Sequence, residues 1–248
     1  MSTHLDHGQL HLKQFFTSLL IGSIFFSACK KESNFTVPVI MESCQVSGSN
    51  PTGHSYTSDS VVAIDYSKKI CGLLPFSKKN YWIYQDSIFD NGSFIKVQYD
   101  TLRFISTLKS LPDGLIWWKT SISIGLPEML YANDSSFFEM SDRLFAPDII
   151  DVKKEFGLFE GDSIHYLTSF EDNAAIGRSV KLQDVIKTPA GDFDDCILFE
   201  KNARNYRKDV VYFKPGLGVI KYTTEKALPG TYQIKLQQIS TLVSFHFE

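Results

Sequence analysis

The chain has 248 residues, of which 43% are hydrophobic and 21% are charged, and this balance excludes a wholly disordered chain, a collagen-like repeat and a polytopic membrane protein. The net charge of −3 provides no positive excess for sequence-independent binding of nucleic acid, so no nucleic-acid partner is expected. Aromatic residues make up 14% of the chain and favour half-buried β surfaces over helices.

The first 28 residues have the pattern of a secretory signal peptide. Residues 15–26 form an uncharged apolar run that is shorter than the roughly 20 residues needed to span a bilayer. Ser27-Ala28 then precede Cys29, and this arrangement resembles the lipobox of bacterial lipoproteins, although Phe26 stands where Leu is usual. The resemblance implies that Cys29 is diacylated and becomes the mature N-terminus. The alternative is a buried apolar helix that ends at a core cysteine.

Acylation of Cys29 would hold the mature chain on a membrane without a spanning helix, because each buried methylene contributes about 0.8 kcal/mol. No run after Cys29 reaches 18 consecutive apolar residues. Lys30 follows the cysteine, in place of the Asp that retains lipoproteins of enterobacterial type in the inner membrane. We therefore expect a protein anchored by its lipid to the outer membrane, on either the periplasmic or the surface-exposed side, with the membrane as its partner.

Three further cysteines follow the predicted anchor. Cys44 and Cys71 bracket a polar stretch that can bury little surface, and an exported protein matures where disulfides are permitted. A Cys44–Cys71 bridge would contribute about 3 kcal/mol by closing that loop. The alternative is that all three are small buried hydrophobes. Cys196 lies in a strand-like run and is predicted to be an inert core thiol.

The residue composition divides the chain after the anchor into two parts. Residues 29–73 are predicted to be a lipid-anchored tether and a loosely structured arm, and residues 74–248 a single β domain. Asn91-Gly92 between two β-rich runs is a strong hairpin signal, and similar turns separate about nine or ten strands. This spacing predicts an all-β, mainly antiparallel fold, either an open β-barrel or a strongly curved sheet or sandwich. One or two short helices are expected, the clearest over Asp148–Phe156.

Two segments near the C-terminus resemble a known signature. Residues 188–196 read TPAGDFDDC and residues 212–221 read YFKPGLGVIK. They are similar to the TPAGxFxxC…GxGxxK signature of Bacteroidetes-type exported lipoproteins of unknown function, whose fold is related to the open β-barrel of the lipoprotein carriers LolA and LolB. The resemblance covers roughly residues 74–248 and implies almost nothing about activity. Independently of it, the glycines mark sharp turns, and Phe193 and Val219 are predicted to point inward.

Three tryptophans are the candidate ligand-lining residues. Neighbours on a strand face opposite sides, so either Trp117 or Trp118 leaves the core unless both faces of the sheet are covered. An outward tryptophan on a concave sheet, together with Trp82, could line a groove for a lipid or another hydrophobic ligand. The alternative, which we favour, is a covered core, with the helix predicted over Asp148–Phe156 as the covering element.

Catalytic motifs are not found. The sequence has no HExxH, no Gly-x-Ser-x-Gly elbow and no dinucleotide loop, so it predicts no cofactor and no catalytic residue. Asp192, Asp194 and Asp195 could ligate calcium, but an ordinary acidic turn is the favoured interpretation and no metal site is predicted. The leading hypothesis is a non-catalytic binding or structural module of the envelope, and the alternative is an envelope hydrolase with dispersed carboxylates, for example one acting on glycans.

Overall fold

The computed structural model describes residues 45–46, 48–143, 145–159, 161–170 and 173–248, all of which lie in the compact unit Pro38–Glu248. Strands dominate these residues, and the one helical element among them is a 3-10 turn at Ser58–Ser60. The strands are β1 (Gln45–Val46), β2 (Ser55–Thr57), β3 (Val61–Ile64), β4 (Ile70–Cys71), β5 (Tyr81–Asp90), β6 (Ser93–Ser110), β7 (Ile116–Thr120), β8 (Met129–Ala132), β9 (Ser136–Arg143), β10 (Ala146–Gly157), β11 (Ser163–Phe170), β12 (Asn173–Lys181), β13 (Ile186–Thr188), β14 (Gly191–Phe193), β15 (Ile197–Ala203), β16 (Arg207–Lys214), β17 (Gly218–Ala227) and β18 (Ile234–His246).

Most strands belong to one 14-stranded antiparallel sheet that is strongly curved and does not close. Its order is β11-β12-β15-β16-β17-β18-β5-β6-β7-β8-β9-β10-β2, and β3 also pairs with β6. The long strand β6 joins two halves, because its beginning pairs with β5 and its end pairs with β7 and β3. We call the strands from β11 to β5 the first half and those from β7 to β2, with β3, the second half. The predicted all-β, open and curved architecture is confirmed.

The hairpin between β5 and β6 forms where the sequence predicts it. Asn91 and Gly92 have φ values of 53° and 82°, the positive values that a type I′ turn needs. Every second residue of β5 faces inward and lies opposite an inward-facing residue of β6, as Trp82 does with Leu102. Turn chemistry and period-2 alternation therefore suffice to predict this part of the sheet.

Aromatic rings from both halves fill the main core between them. Phe137 of β9 lies 5.2 Å from Phe213 of β16, and Phe156 of β10 stacks on Phe199 of β15 at 4.4 Å. Such ring pairs contribute about 0.5–1.5 kcal/mol beyond the area that they bury. The two halves of the open sheet are thus held together by ring contacts across the interior.

The signature segments have a structural role in this core. Phe193 and Val219 are buried, as predicted. Gly218 has a φ of 126°, and a Cβ atom there would come within about 3.0 Å of Leu74 and 3.3 Å of Trp82. Trp82 in turn donates its indole hydrogen to the Leu217 carbonyl at 2.8 Å. The turn between β16 and β17 therefore provides both the space and the acceptor that let Trp82 be buried.

Both faces of the sheet are covered at the adjacent tryptophans. Trp118 belongs to the main core, whereas Trp117 points to the opposite face and packs with Tyr56, Tyr131 and other residues in a second cluster. The covered-core interpretation is the one that this packing supports. The covering element is the N-terminal arm, whose Tyr56 ring lies 6.2 Å from that of Trp117.

The helix predicted over Asp148–Phe156 is wrong, because these residues belong to β10. This strand pairs with β9 along one edge and with β2 along the other. The Pro-led start and the charge distribution satisfy local helix rules, but β-branched Ile149, Ile150 and Val152 fit a strand between two partners. Tertiary pairing therefore overrides a weak local preference.

The described residues of the predicted arm, 45–46 and 48–73, contribute short strands and buried side chains to the fold. β2 adds to the edge of β10, β3 pairs with the end of β6, and Leu73 is buried in the main core. A few apolar residues spaced among polar ones are enough to dock this segment. The predicted boundary at residue 28 and the anchor Cys29 lie outside the described residues.

Cys71 is disulfide-bonded, and Cys196 is free and buried. Cys44, the predicted partner of Cys71, lies outside the described residues, so this pairing stays a prediction. Gln45, which follows Cys44, is the backbone partner of Ile70, which precedes Cys71. The described residues contain no helix with the length and apolarity of a membrane span.

Candidate functional site

A cleft opens where the second half of the sheet meets the far end of the first half. It consists of two adjoining pockets, a polar arm of about 200 Å³ and an apolar arm of about 300 Å³, which share Glu155 and Phe156 in their linings. We call this region the seam cleft. The polar arm is lined chiefly by Glu139, Lys153, Glu155, Lys201, Arg207 and Asp209. The apolar arm is lined chiefly by Phe156, Leu158, Phe159, Ile164, Tyr166 and Leu167.

A β-bulge in β10 brings both shared residues into the cleft. In the pairing with β9, Lys154 lies opposite Phe138 and Phe156 lies opposite Phe137, so Glu155 is an extra residue without a partner. A bulge of this kind re-aims side chains, and here two consecutive residues are buried, with exposures of 5% for Glu155 and 4% for Phe156. Without the extra residue, neighbours on β10 would face opposite sides of the sheet.

Glu155 sits in a chain of alternating charges. Its Oε1 atom accepts a hydrogen bond from Lys201 Nζ at 2.5 Å, and this contact links β10 to β15 across the two halves. Lys153 Nζ lies 2.9 Å from a Glu139 oxygen and 3.7 Å from Glu155 Oε2. Burial opposes the charge of Lys153, but the two carboxylates outweigh it and raise the pKa of Lys153. The four groups therefore form a balanced network of two anions and two cations.

A second ion pair completes the polar arm. Arg207 donates two hydrogen bonds to Asp209, at 2.9 and 2.6 Å, and Thr224 donates a third at 2.6 Å. The Phe170 ring lies 4.7 Å from Lys201 Nζ and 4.8 Å from the Arg207 guanidinium carbon, in cation–π range. Each buried carboxylate of the polar arm is thus matched by a cation that is itself held in place.

Buried polar atoms that form no hydrogen bond lie in and beside the apolar arm. The Tyr166 ring lies over Gly177 on β12, where a Cβ atom would come within 2.2 Å of the ring. Burial raises the pKa of Tyr166 to about 12, and the Glu155 charge adds to the rise. The Tyr166 and Ser179 hydroxyls are buried and form no hydrogen bond, and Glu155 Oε2 accepts no hydrogen bond but lies in ion-pair range of Lys153 Nζ, at 3.7 Å. Such atoms are unusual in folded proteins and can accept or donate to a bound molecule.

The loop between β7 and β8 forms a wall of the polar arm. Gly125 in this loop has a φ of 78°, and a Cβ atom there would come within 2.3 Å of Val211 and 2.8 Å of Tyr222. The backbone therefore approaches the inner face of β16 and β17 as closely as only a glycine allows. Glu128 at the end of this wall pairs with Lys119 on the surface at 2.8 Å.

The sequence-predicted site residues lie elsewhere. Trp82, Trp117 and Trp118 have no exposed surface, and none of them lines the two arms. Their ligand-lining role stays a prediction. At the acidic turn, Asp194 lies 2.9 Å and Asp195 4.0 Å from Lys214 Nζ.

Sequence reasoning did not find the charged residues of the polar arm. One signal was present for Asp209, because it is in phase with the buried residues Val211 and Phe213 on β16. An acidic residue at an inward position of a strand indicates a partnered or functional group. Glu155 has no such signal, because the bulge in β10 interrupts the alternation of inward and outward residues at this position.

Comparisons with known proteins leave the family open. No protein-family profile matches the chain, and no curated protein matches it. Two solved structures are similar to 71% of the chain: a candidate exported protein with a YmcC-like fold from Bacteroides fragilis, at 11% identity and a TM-score of 0.35, and a candidate lipoprotein from Parabacteroides distasonis, at 13% identity and a TM-score of 0.31. The chain covers 100% of the first and 99% of the second.

Proposed function

We propose that this chain is an exported lipoprotein, anchored to the outer membrane through Cys29, whose β domain is a non-catalytic binding module. The lipobox-like segment before Cys29 supports the anchor. The disulfide at Cys71 supports export, because disulfides persist in oxidising compartments. The seam cleft is the place where this module would take its ligand.

The pairing of the cleft carboxylates is the observation that favours binding over catalysis. Glycoside hydrolysis by two carboxylates needs one of them to be a protonated acid, which requires a raised pKa. In the polar arm Glu139, Glu155 and Asp209 each lie within 3.0 Å of a lysine or arginine nitrogen, so each of them is already engaged in an ion pair. A hydrolase would need one of these carboxylates to leave its ion pair before it could serve as the acid.

The cleft favours a hydrophobic ligand with an uncharged polar group. Phe156, Leu158 and Ile164 offer an apolar surface, and an arm of about 300 Å³ is at the lower end of the roughly 300–1,000 Å³ of small-molecule sites. Because the charges of the polar arm are already balanced, a neutral hydroxyl or amide would fit beside them at least cost. A lipid with a neutral head group has both properties.

Subcellular fractionation tests the anchor. Cys29→Ala should move the protein from the membrane to the soluble fraction, whereas Cys196→Ala, a matched cysteine change, should leave it in the membrane. If the Cys29→Ala protein still sediments with membranes, the lipoprotein proposal is wrong.

Binding of monolaurin, a neutral single-chain lipid, tests the cleft. The soluble Cys29→Ala protein should bind it, and Leu167→Asp should weaken binding about tenfold or more, because a carboxylate would be desolvated against the ligand. Leu111→Asp, a matched change at an exposed leucine outside the cleft, should have no effect. Absence of binding, or equal loss in both variants, would remove the cleft from the proposal.

A further inference from the structure

A set of oxygen-bearing side chains lies on the inner face of β5, β6 and β18, away from the seam cleft. Asp86 of β5 is opposite Gln98 of β6 on one side and Ser240 of β18 on the other. Asp100 is the next residue of β6 on the same face, and Gln238 is the preceding residue of β18 on that face. The register of three neighbouring strands therefore brings two carboxylates, two amides and a hydroxyl together.

Asp86 is the unusual member of this set. Its exposure is 1%, and neither of its carboxylate oxygens has a hydrogen-bond partner. Within the described residues, no lysine, arginine or histidine forms an ion pair with Asp86 or Asp100, in contrast to the carboxylates of the polar arm. A buried carboxylate without a partner is costly, so it must be protonated or meet a cation.

The neighbours of Asp86 provide oxygens rather than positive charge. Gln98 uses its Nε2 to donate to Asp100 Oδ2 at 3.0 Å, and Gln238 uses its Nε2 to donate to Ser240 Oγ at 2.9 Å. The amide oxygens of both glutamines are thus left available as ligands.

We propose that Asp86 and Asp100 hold a hard divalent cation of the calcium class, with the oxygens of Gln98, Gln238 and Ser240 in its coordination shell. Calcium takes 6–8 oxygen ligands, from carboxylates, amide carbonyls and water, and tolerates irregular geometry. Asp100 and Gln98 are half-buried, so this side of the cluster is in contact with solvent. This proposal does not depend on the lipid anchor or on the seam cleft.

Thermal unfolding of the full mature chain, first treated with EDTA at pH 7.5, tests this site. Added Ca²⁺ at about 100 times its Kd should raise the Tm by roughly 5–10 °C. Asp86→Asn should abolish this response, and Asp100→Asn should weaken Ca²⁺ binding at least about tenfold. Asp192→Asn, in the acidic turn, is the matched control and should leave the response unchanged.

Terbium luminescence provides a second measurement that does not depend on stability. Tyr84 lies opposite Asp100, so Tb³⁺ at this site should be sensitised by the tyrosine, and the signal should be lost in Asp86→Asn and kept in Asp192→Asn. A Tm that does not respond to Ca²⁺ at roughly 10 mM, well above the 10⁻⁴–10⁻³ M Kd of extracellular calcium modules, would overturn the proposal. If Asp86→Asn is then more stable than the unchanged protein, the pair shares a proton and binds no metal.

Discussion

Removing the positive partner of Glu155 should destabilise the fold strongly. Lys201→Met keeps most of the side-chain volume but leaves Glu155, whose side chain is 6% exposed, with only Lys153 at 3.7 Å. Breaking a buried ion pair by removing one partner costs about 3–5 kcal/mol, because an uncompensated charge stays in the interior. Since Lys153 still offsets part of that charge, we expect a loss of about 3 kcal/mol in the free energy of unfolding.

The double variant separates the burial of charge from the loss of packing. In Glu155→Gln/Lys201→Met no uncompensated charge remains, so its stability should recover to within about 1.5 kcal/mol of the starting protein. Lys119→Met provides the control, since its partner Glu128 is 71% exposed, and such a surface pair contributes about 0–1 kcal/mol. Urea unfolding followed by tryptophan fluorescence measures the free energy of unfolding of the single variant, the double variant and the control. A cost below 1 kcal/mol for Lys201→Met would refute a desolvated ion pair between the two halves.

Further changes test the core and the cleft wall. Trp117→Ala should cost about 3–5 kcal/mol in urea unfolding, because it empties a fully buried site, and a cost near zero would contradict a covered outer face. Gly125→Ala should cost at least about 1–3 kcal/mol through the clash with Val211, whereas Gly53→Ala on the surface should change stability by less than about 0.5 kcal/mol. Burial raises the pKa of Cys196 to about 11, so at pH 8 only about 0.1% is thiolate, and a thiol reagent should label it after unfolding and not before.

Local rules predict the strands of the first half well. The Asn91-Gly92 pair predicts a tight hairpin turn, because both residues tolerate positive φ values. The alternation of residues along β16 and β17 predicts strands with one buried face. The second half is less predictable because its strands depend on partners far along the chain. Residues 147–156 have a local helix pattern, but they belong to β10, which pairs with β9 and β2.

The candidate site was harder to predict than the fold. The adjacent aromatic residues suggest a ligand-binding surface in the sequence, but Tyr56 of the N-terminal segment covers Trp117 in the structure. The seam cleft depends on a bulge at Glu155 and on contacts between β10 and β15, and neither has a periodic signal in the sequence. Contacts between segments about 46 residues apart are beyond the reach of windows of 11–18 residues.

The attachment of the chain is tested most directly by mass spectrometry of the mature N-terminal peptide, purified from the membranes of the native host. We expect a peptide that begins at Cys29, lacks residues 1–28 and carries a diacylglyceryl group on the cysteine sulfur. A mature chain that retains residues before Cys29, or that carries an unmodified thiol at this position, would contradict it.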